Sequence, residues 1–283
     1  MKILFFSCIT IALFNFLPVD AQFKLPSASP TQIIKQEFGL GNIELTYSRP
    51  GAKGHKVFGD LVPYDKLWRT GANAATKIVF SEPVEMNGRK IDSGAYVLYT
   101  IPGAESWEVI INKGIKNVGT DEYKESEDVL RFKVEPVNTK IYTESFTIQF
   151  AALRPEGCEL HLMWEKKLII IPISVNIKDK MRMQLDAAMR TDQKPFWQAA
   201  QFYYEYDRNL TRALENVNKA IEGNPKAYWM LLYKAKIHNE MGDIAGATQS
   251  VNRSLALSKD AKNDDYVKMN EMLLKELKQK KNR

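Results

Sequence analysis

From about residue 31 to 176 apolar and polar side chains alternate with a period of two, because neighbouring residues on an extended chain face opposite sides of a sheet. Ile43, Leu45 and Tyr47 alternate with Glu44, Thr46 and Ser48. The same alternation runs through Trp107, Val109 and Ile111, through Leu130, Phe132 and Val134, through Phe146, Ile148 and Phe150, and through Leu160, Leu162 and Trp164. Asn87-Gly88, Asp92-Ser93-Gly94 and Pro102-Gly103 separate such segments, and Asn-Gly is a hairpin signal since both residues tolerate positive φ. Leu168 to Val175 is apolar on both faces, which predicts a covered final strand with Pro172 at an edge or bulge. Short strands and tight turns with no helical pattern between them predict a mainly antiparallel β sandwich, or a flattened barrel.

The rhythm changes after residue 177. Met181, Leu185, Ala188 and Met189 fall at helical spacing over 178–190, and Thr191 to Pro195 breaks the pattern. Beyond it, Leu210, Ala213, Val217 and Ala220 return 34 residues later as Ile244, Ala247, Val251 and Ser254. Offsets of three and four build one apolar helix stripe. In the same register Asn209 returns as Asp243, both good N-caps. Trp197, Tyr204, Ala213, Ala220 and Pro225 resemble the large, aromatic, small, small and proline positions of a tetratricopeptide repeat. Leu231, Ala235, His238, Ala247 and Ser254 make a weaker second unit, and 263–280 is expected to cap it with Val267, Leu274 and Leu277. The resemblance implies an all-α helical-hairpin domain over 195–283 after a linker helix at 178–194. Two units fall short of the three or so needed for independent stability, so the tail is expected to lean on the β domain, the linker helix or another chain.

Residues 1–21 read as an export leader: Lys2, the apolar run Ile3 to Leu17, then Val19-Asp20-Ala21 at the cleavage positions. The expected mature chain starts at Gln22, with the β domain over 22–177, a periplasmic or extracellular location, and no later segment long enough to span a bilayer. Cys8 leaves with the leader, so Cys158 remains alone on the apolar side of its strand, read as a buried inert thiol.

The formal charge of +6 divides into +2 over 22–190 and +4 over 191–283. Neither half carries the clustered basic stripe of a nucleic-acid-binding protein. His55, His161 and His238 stand at no metal-ligand spacing, which gives no metal site and no cofactor. Nucleophile-elbow and phosphate-loop patterns are absent from the sequence.

Candidate chemistry concentrates in Ser48 to Asn73, a long aperiodic stretch rich in Gly and in cations, and loops of this length are more often functional than not. Arg49, His55, Asp60, Trp68, Arg69 and Asn73 are its candidate ligand-binding residues. Arg69 offers a planar fork of donors to a carboxylate or phosphate, and Gly71 permits close approach to the backbone. The alternative is that Phe58, Leu61, Val62 and Trp68 plug one end of the sandwich while Arg49 and Arg69 satisfy buried carbonyls.

Tyr47-Ser48-Arg49-Pro50, Gly54, Phe58 to Tyr64, Trp68 to Asn73, Gly94-Ala95-Tyr96, Ile101-Pro102-Gly103 and Trp107 together resemble the bacterial family known as domain of unknown function 2911. The resemblance covers roughly residues 28–175. It implies an exported β-rich domain, often followed by tetratricopeptide-like helices, with no established activity. The family pattern often holds Arg where this chain has His55, which weakens His55 as a base.

Three functions stand open on these observations. One is an exported binding protein that holds a small or polymeric ligand on the β domain and a protein partner on the tail, with Trp229, Tyr233, Lys236 and Asn239 as groove residues. Another is a cell-envelope hydrolase or lyase using Arg69, Asn73, His55 and Asp60. The third is a structural assembly component.

Overall fold

The computed structural model describes residues 25–281, so the expected leader lies outside the described residues. Ten strands follow in order: β1 (Thr31–Phe38), β2 (Gly41–Ser48), β3 (Thr76–Phe80), β4 (Val84–Met86), β5 (Arg89–Ile91), β6 (Gly94–Ile101), β7 (Trp107–Asn112), β8 (Asp128–Val134), β9 (Val137–Arg154) and β10 (Gly157–Ser174). They form a six-stranded sheet ordered β1-β2-β3-β6-β7-β8 and a four-stranded sheet ordered β5-β4-β10-β9. Every strand pairing is antiparallel. Leu45, Ile78, Leu98 and Ile111 of the first sheet share one core with Ile148, Leu160, Ile169 and Ile171 of the second. The domain is the expected sandwich, and no closed barrel forms among the described residues.

Local chemistry explains the turns. Asn87 and Gly88 join β4 to β5 with φ of 49° and 73°, the left-handed pair that a two-residue hairpin requires. Glu165 also has positive φ, 50°, and it sits between register shifts of the β9–β10 ladder. The buried residues of β10 are even-numbered before it, from Cys158 to Trp164, and odd-numbered after it, from Ile169 to Ile173. Val175 N–H donates to Glu156 O at 3.1 Å, so the end of β10 lies beside its start. A straight strand of this length spans about 60 Å, so β10 consists of two legs reversing near Glu165. This matches the separate strands read around Leu160–Trp164 and Leu168–Val175. Pro172 accepts at its carbonyl from Asn87 N–H, 3.1 Å, where β4 ends and a missing donor costs little.

One seam of the sandwich is laced by main chain. Beyond β2 the chain crosses to the edge of β9, where Phe146 N–H donates to Pro50 O (2.8 Å) and Ala52 N–H to Glu144 O (2.9 Å). Tyr47, 2% exposed, continues the seam with its side chain. Its hydroxyl donates to Gln32 Oε1 at 2.7 Å, accepts the Ile148 N–H at 2.8 Å and lies 3.1 Å from Ile148 O. Edge groups that would otherwise be buried without partners are thereby satisfied.

The remaining chain is helical: α1 (Lys178–Ala188), α2 (Phe196–Gln201) running on into a π turn over Phe202–Tyr206, α3 (Leu210–Gly223), α4 (Tyr228–Glu240), α5 (Ile244–Asp260) and α6 (Asp264–Lys281). The expected caps close as read. Asn209 Oδ1 accepts from Arg212 N–H (3.0 Å) and Asp243 Oδ1 from Gly246 N–H (2.8 Å). Ala213, Val217, Ala247 and Val251 are fully buried. Ser254 stands where the first stripe has Ala220, and its buried hydroxyl donates to Tyr228 O at 2.7 Å. On α6 the buried pair is Leu273 and Leu277, with Leu274 only half-buried, a one-residue rotation from the expected face. The tail leans on the linker helix, one of the supports anticipated, since Arg182 of α1 pairs with Asp207. That helix docks in turn on the β domain, with Met181 packing against both cores and Lys180 Nζ 2.6 Å from Glu82.

Tyr47→Phe removes the hydroxyl that accepts the Ile148 N–H and donates to Gln32. The expected cost is about 1–3 kcal/mol, read as a lower urea midpoint with an unchanged slope; an unshifted midpoint would contradict the lacing.

Candidate functional site

The segment from Arg49 to Ala75 has no ladder of its own. Isolated bridges pin it instead, Gly51 to Ser145 and Trp68 to Thr100, and at its centre is a group of interlocked rings. Phe58 meets Trp107 edge-on at 4.9 Å, Trp68 meets Phe146 at 4.9 Å, and Trp68 stacks on Trp164 at 5.9 Å and 22°. Each indole also needs an acceptor once desolvated. Trp68 Nε1 donates to Gly71 O and Trp164 Nε1 to Glu144 O, both at 3.0 Å. Phe58 and Val62 are buried as the plugging alternative requires, but Leu61 is not part of the plug and is 49% exposed.

The Trp68–Asn73 block is a tight, over-determined turn. Thr70 and Asn73 hold φ of 55° and 57°, and Gly71 holds 154°. A Cβ on Gly71 would sit 3.0 Å from Ser48 O and 3.2 Å from Thr76 Oγ1, so this position admits only glycine without rearrangement. Positive φ at β-branched Thr70 is costly, and three contacts hold it: burial, an Oγ1 contact to Thr100 Oγ1 at 3.0 Å, and Thr76 Oγ1 donating to its carbonyl at 2.6 Å.

Both arginines serve the protein's own backbone. Arg49 donates through Nε to Phe146 O (3.1 Å) and through Nη2 to Thr147 Oγ1 (2.7 Å). Arg69 donates through Nη1 to Asn73 O at 2.5 Å. Its guanidinium also lies against Gly119, where a Cβ would come within 3.3 Å of Nη2. Arg69 thus bonds within its own 68–73 turn and packs against the loop after β7. Asn73 is exposed, and its Nδ2 donates to Ser29 O at 3.0 Å. The adjacent cavity, lined by Thr31, Tyr47, Ser48 and Ala75 among others, measures about 120 Å³, below the roughly 300–1,000 Å³ of small-molecule sites.

The other candidates scatter. His55 and Asp60 are exposed, and no side-chain hydrogen bond joins them to each other, to Arg69 or to Asn73. His161 Nε2 lies 2.8 Å from Glu159 Oε2, and His238 Nδ1 is 2.8 Å from Asp243 Oδ2. Cys158 is buried, and burial pushes its thiol up to about 11. On the tail, Tyr233 donates to Glu205 Oε1 (2.7 Å) and Asn239 is held by Glu276 and Lys280 of α6 (3.1 and 2.9 Å). Trp229 is half-buried edge-on against Tyr228, which leaves Lys236 the exposed member of the four.

The family model described as protein of unknown function (DUF2911) matches residues 29–173. The chain belongs to the DUF2911 family. No curated protein matches it. The DUF2911 match ends within β10, so the sandwich carries the family identity and the helices follow it.

One polar cluster in the DUF2911 domain escaped the sequence reading. On the outer face of the six-stranded sheet, Arg131 reaches Glu108 Oε2 (2.7 Å), the Tyr123 hydroxyl (2.6 Å) and Asp128 Oδ2 (3.1 Å). Asn112, fully buried, donates to Asp128 Oδ1 (2.8 Å) and Lys124 O (2.9 Å). Burial, then the bond to Asp128, pushes the Tyr123 phenol above its ordinary range, so it stays protonated. The cluster fastens the 113–127 loop over Tyr99, whose hydroxyl donates to Gly119 O at 2.9 Å. Only the outward position of Arg131 between Leu130 and Phe132 hinted at it.

Arg69→Ala is expected to lose about 1–3 kcal/mol of stability, because it leaves Asn73 O without its donor and removes the packing against Gly119. Calorimetry checks this, and a melting temperature equal to the parent's would mean that the guanidinium is free for a ligand.

Proposed function

We propose that this chain is an exported binding protein in which the DUF2911 sandwich is a rigid platform and the helical tail makes the protein contacts. The observation that supports this most is the stacking of alternate helices. Trp197 and Tyr204 of the first hairpin pack on Tyr233 of α4 at 4.9 and 5.1 Å, and Tyr228 of α4 packs on Tyr266 of α6 at 4.9 Å. The N-caps of α3 and α5 stand one repeat of 34 residues apart. Layering of this kind is how tetratricopeptide-like hairpins present a continuous face to peptides. Lys236 and the free part of Trp229 lie on α4, the middle helix of that layer, and are the contact residues we assign. The β domain supplies orientation, since its arginines and rings are engaged with its own chain. Export rests on Lys2, the apolar run Ile3–Leu17 and Val19-Asp20-Ala21.

A photo-crosslinking amino acid at Lys236, in the producing cell, tests the reading. The expected result is a discrete adduct between a second protein and a chain beginning at Gln22 in the envelope fraction. The same residue at Glu222, the exposed end of α3, should give none. Absence of any adduct at Lys236, or equal adducts at both positions, would reject the helical contact face.

A further inference from the structure

The end of the sandwich where β10 reverses carries an exposed apolar excursion that the packing does not use. In the β9–β10 ladder Lys167 pairs with Asn138 and Glu165 with Thr143. Between these pairs β10 contributes Lys166 alone while β9 contributes residues 139–142, which must bulge outward. Thr139 Oγ1 donates to Ile141 O at 2.8 Å and shapes the bulge. Ile141 is 78% exposed, Tyr142 48% and neighbouring Val137 47%. A single exposed apolar residue needs no explanation, but two on the projecting tip with a third, Val137, at its base are a patch.

Lysines surround this tip. Lys140 and Lys166 lie on it and are exposed, with half-buried Lys167 beside them. Lys53 and Lys56, also exposed, belong to the segment docked against it, since Lys53 N–H donates to Glu144 Oε1 (2.7 Å) and Val57 N–H to Glu165 Oε1 (3.0 Å). Glu144 and Glu165 therefore sit at the tip beside Tyr142 as carboxylates bound to main-chain donors, and their charges offset part of the lysines' excess. None of the five lysines forms an ion pair with a described residue. Asp60 and Glu135 are the remaining acids nearby in sequence.

We propose that this tip is a peripheral membrane contact, with Ile141, Tyr142 and Val137 entering the interfacial layer of an anionic bilayer and the lysines meeting its phosphates. The chemistry favours a bilayer over a folded partner. The tip is convex, and a fluid interface accepts a convex apolar projection without a matching cavity. Tyr142 on it is amphipathic and suits the headgroup level, and lysines extend from an apolar surface toward phosphate. Each lysine near an anionic surface contributes about 1 kcal/mol, screened by salt. The inference is independent of the helical contact face.

Co-sedimentation of the full mature chain with vesicles tests it, using phosphatidylcholine alone against phosphatidylcholine with phosphatidylglycerol. Binding to the anionic vesicles only, weakening with salt, is expected. Ile141→Asp should reduce that binding about tenfold, and Lys140→Gln with Lys166→Gln about tenfold or more. Both sites are exposed, so melting temperatures should match the parent. Equal binding to both vesicles, no binding, or undiminished binding by Ile141→Asp would overturn the proposal. Inorganic polyphosphate separates a soluble polyanion site: if it binds as tightly as the vesicles and Ile141→Asp affects neither, the bilayer is not the ligand.

Discussion

Five aromatic rings from four separate stretches of chain interlock at one end of the core between the two sheets. Phe58 and Trp68 come from the long connection, Trp107 from β7, Phe146 from β9 and Trp164 from β10. Each edge-to-face or stacked pair adds about 0.5–1.5 kcal/mol beyond the area it buries. The rings also dictate the backbone around them, because desolvated indole N–H groups need acceptors. The acceptors here are carbonyls of the connection itself and of β9. The left-handed turn at Thr70 and Gly71, the crossing of Arg49–Ala52 to the second sheet and the reversal of β10 at Glu165 all follow the ring cluster around this end of the sandwich.

That constraint changes what the basic residues of the connection do. A cationic, glycine-rich loop reads as an anion clamp when its neighbours are unknown. With Arg49 on Phe146 O and Arg69 on Asn73 O, the two guanidiniums serve the loop's own folding. The two surfaces we propose for outside contacts lie elsewhere: on the stacked helices around Lys236, and on the projecting tip at Ile141. Both are surfaces rather than enclosed sites, consistent with a binding role for a domain whose interior is filled.

Legibility in the sequence tracked the distance over which each feature acts. The alternation of Ile43, Leu45 and Tyr47, the Asn87-Gly88 turn, the caps at Asn209 and Asp243 and the inert Cys158 are set by near neighbours, and their structures agree with their patterns. The plug around Phe58, Val62 and Trp68 was readable as an alternative to a clamp, though not the exposure of Leu61, because loop burial has no period. Partners fifty to a hundred residues apart were not readable. Nothing in Tyr47 announces Ile148, and nothing in Arg69 announces Gly119. The Arg131 cluster escaped for the same reason, since Glu108, Tyr123 and Asp128 gather around it only once β7 and β8 pair. On α6, the one-residue rotation from Leu274 to Leu273 reflects packing against α5, which helical spacing alone leaves free.

Native-state hydrogen exchange on residues 49–76 tests the central claim most directly. Ala52 N–H bonds to Glu144 O, Val62 N–H to Val57 O and Trp68 N–H to Thr100 O. If the rings bind the connection into the core, these amides exchange only with global unfolding, at the same free energy as amides of β6 and β7. Exchange through a local opening several kcal/mol below the global value, with β6 and β7 still protected, would show a detachable loop and contradict the account.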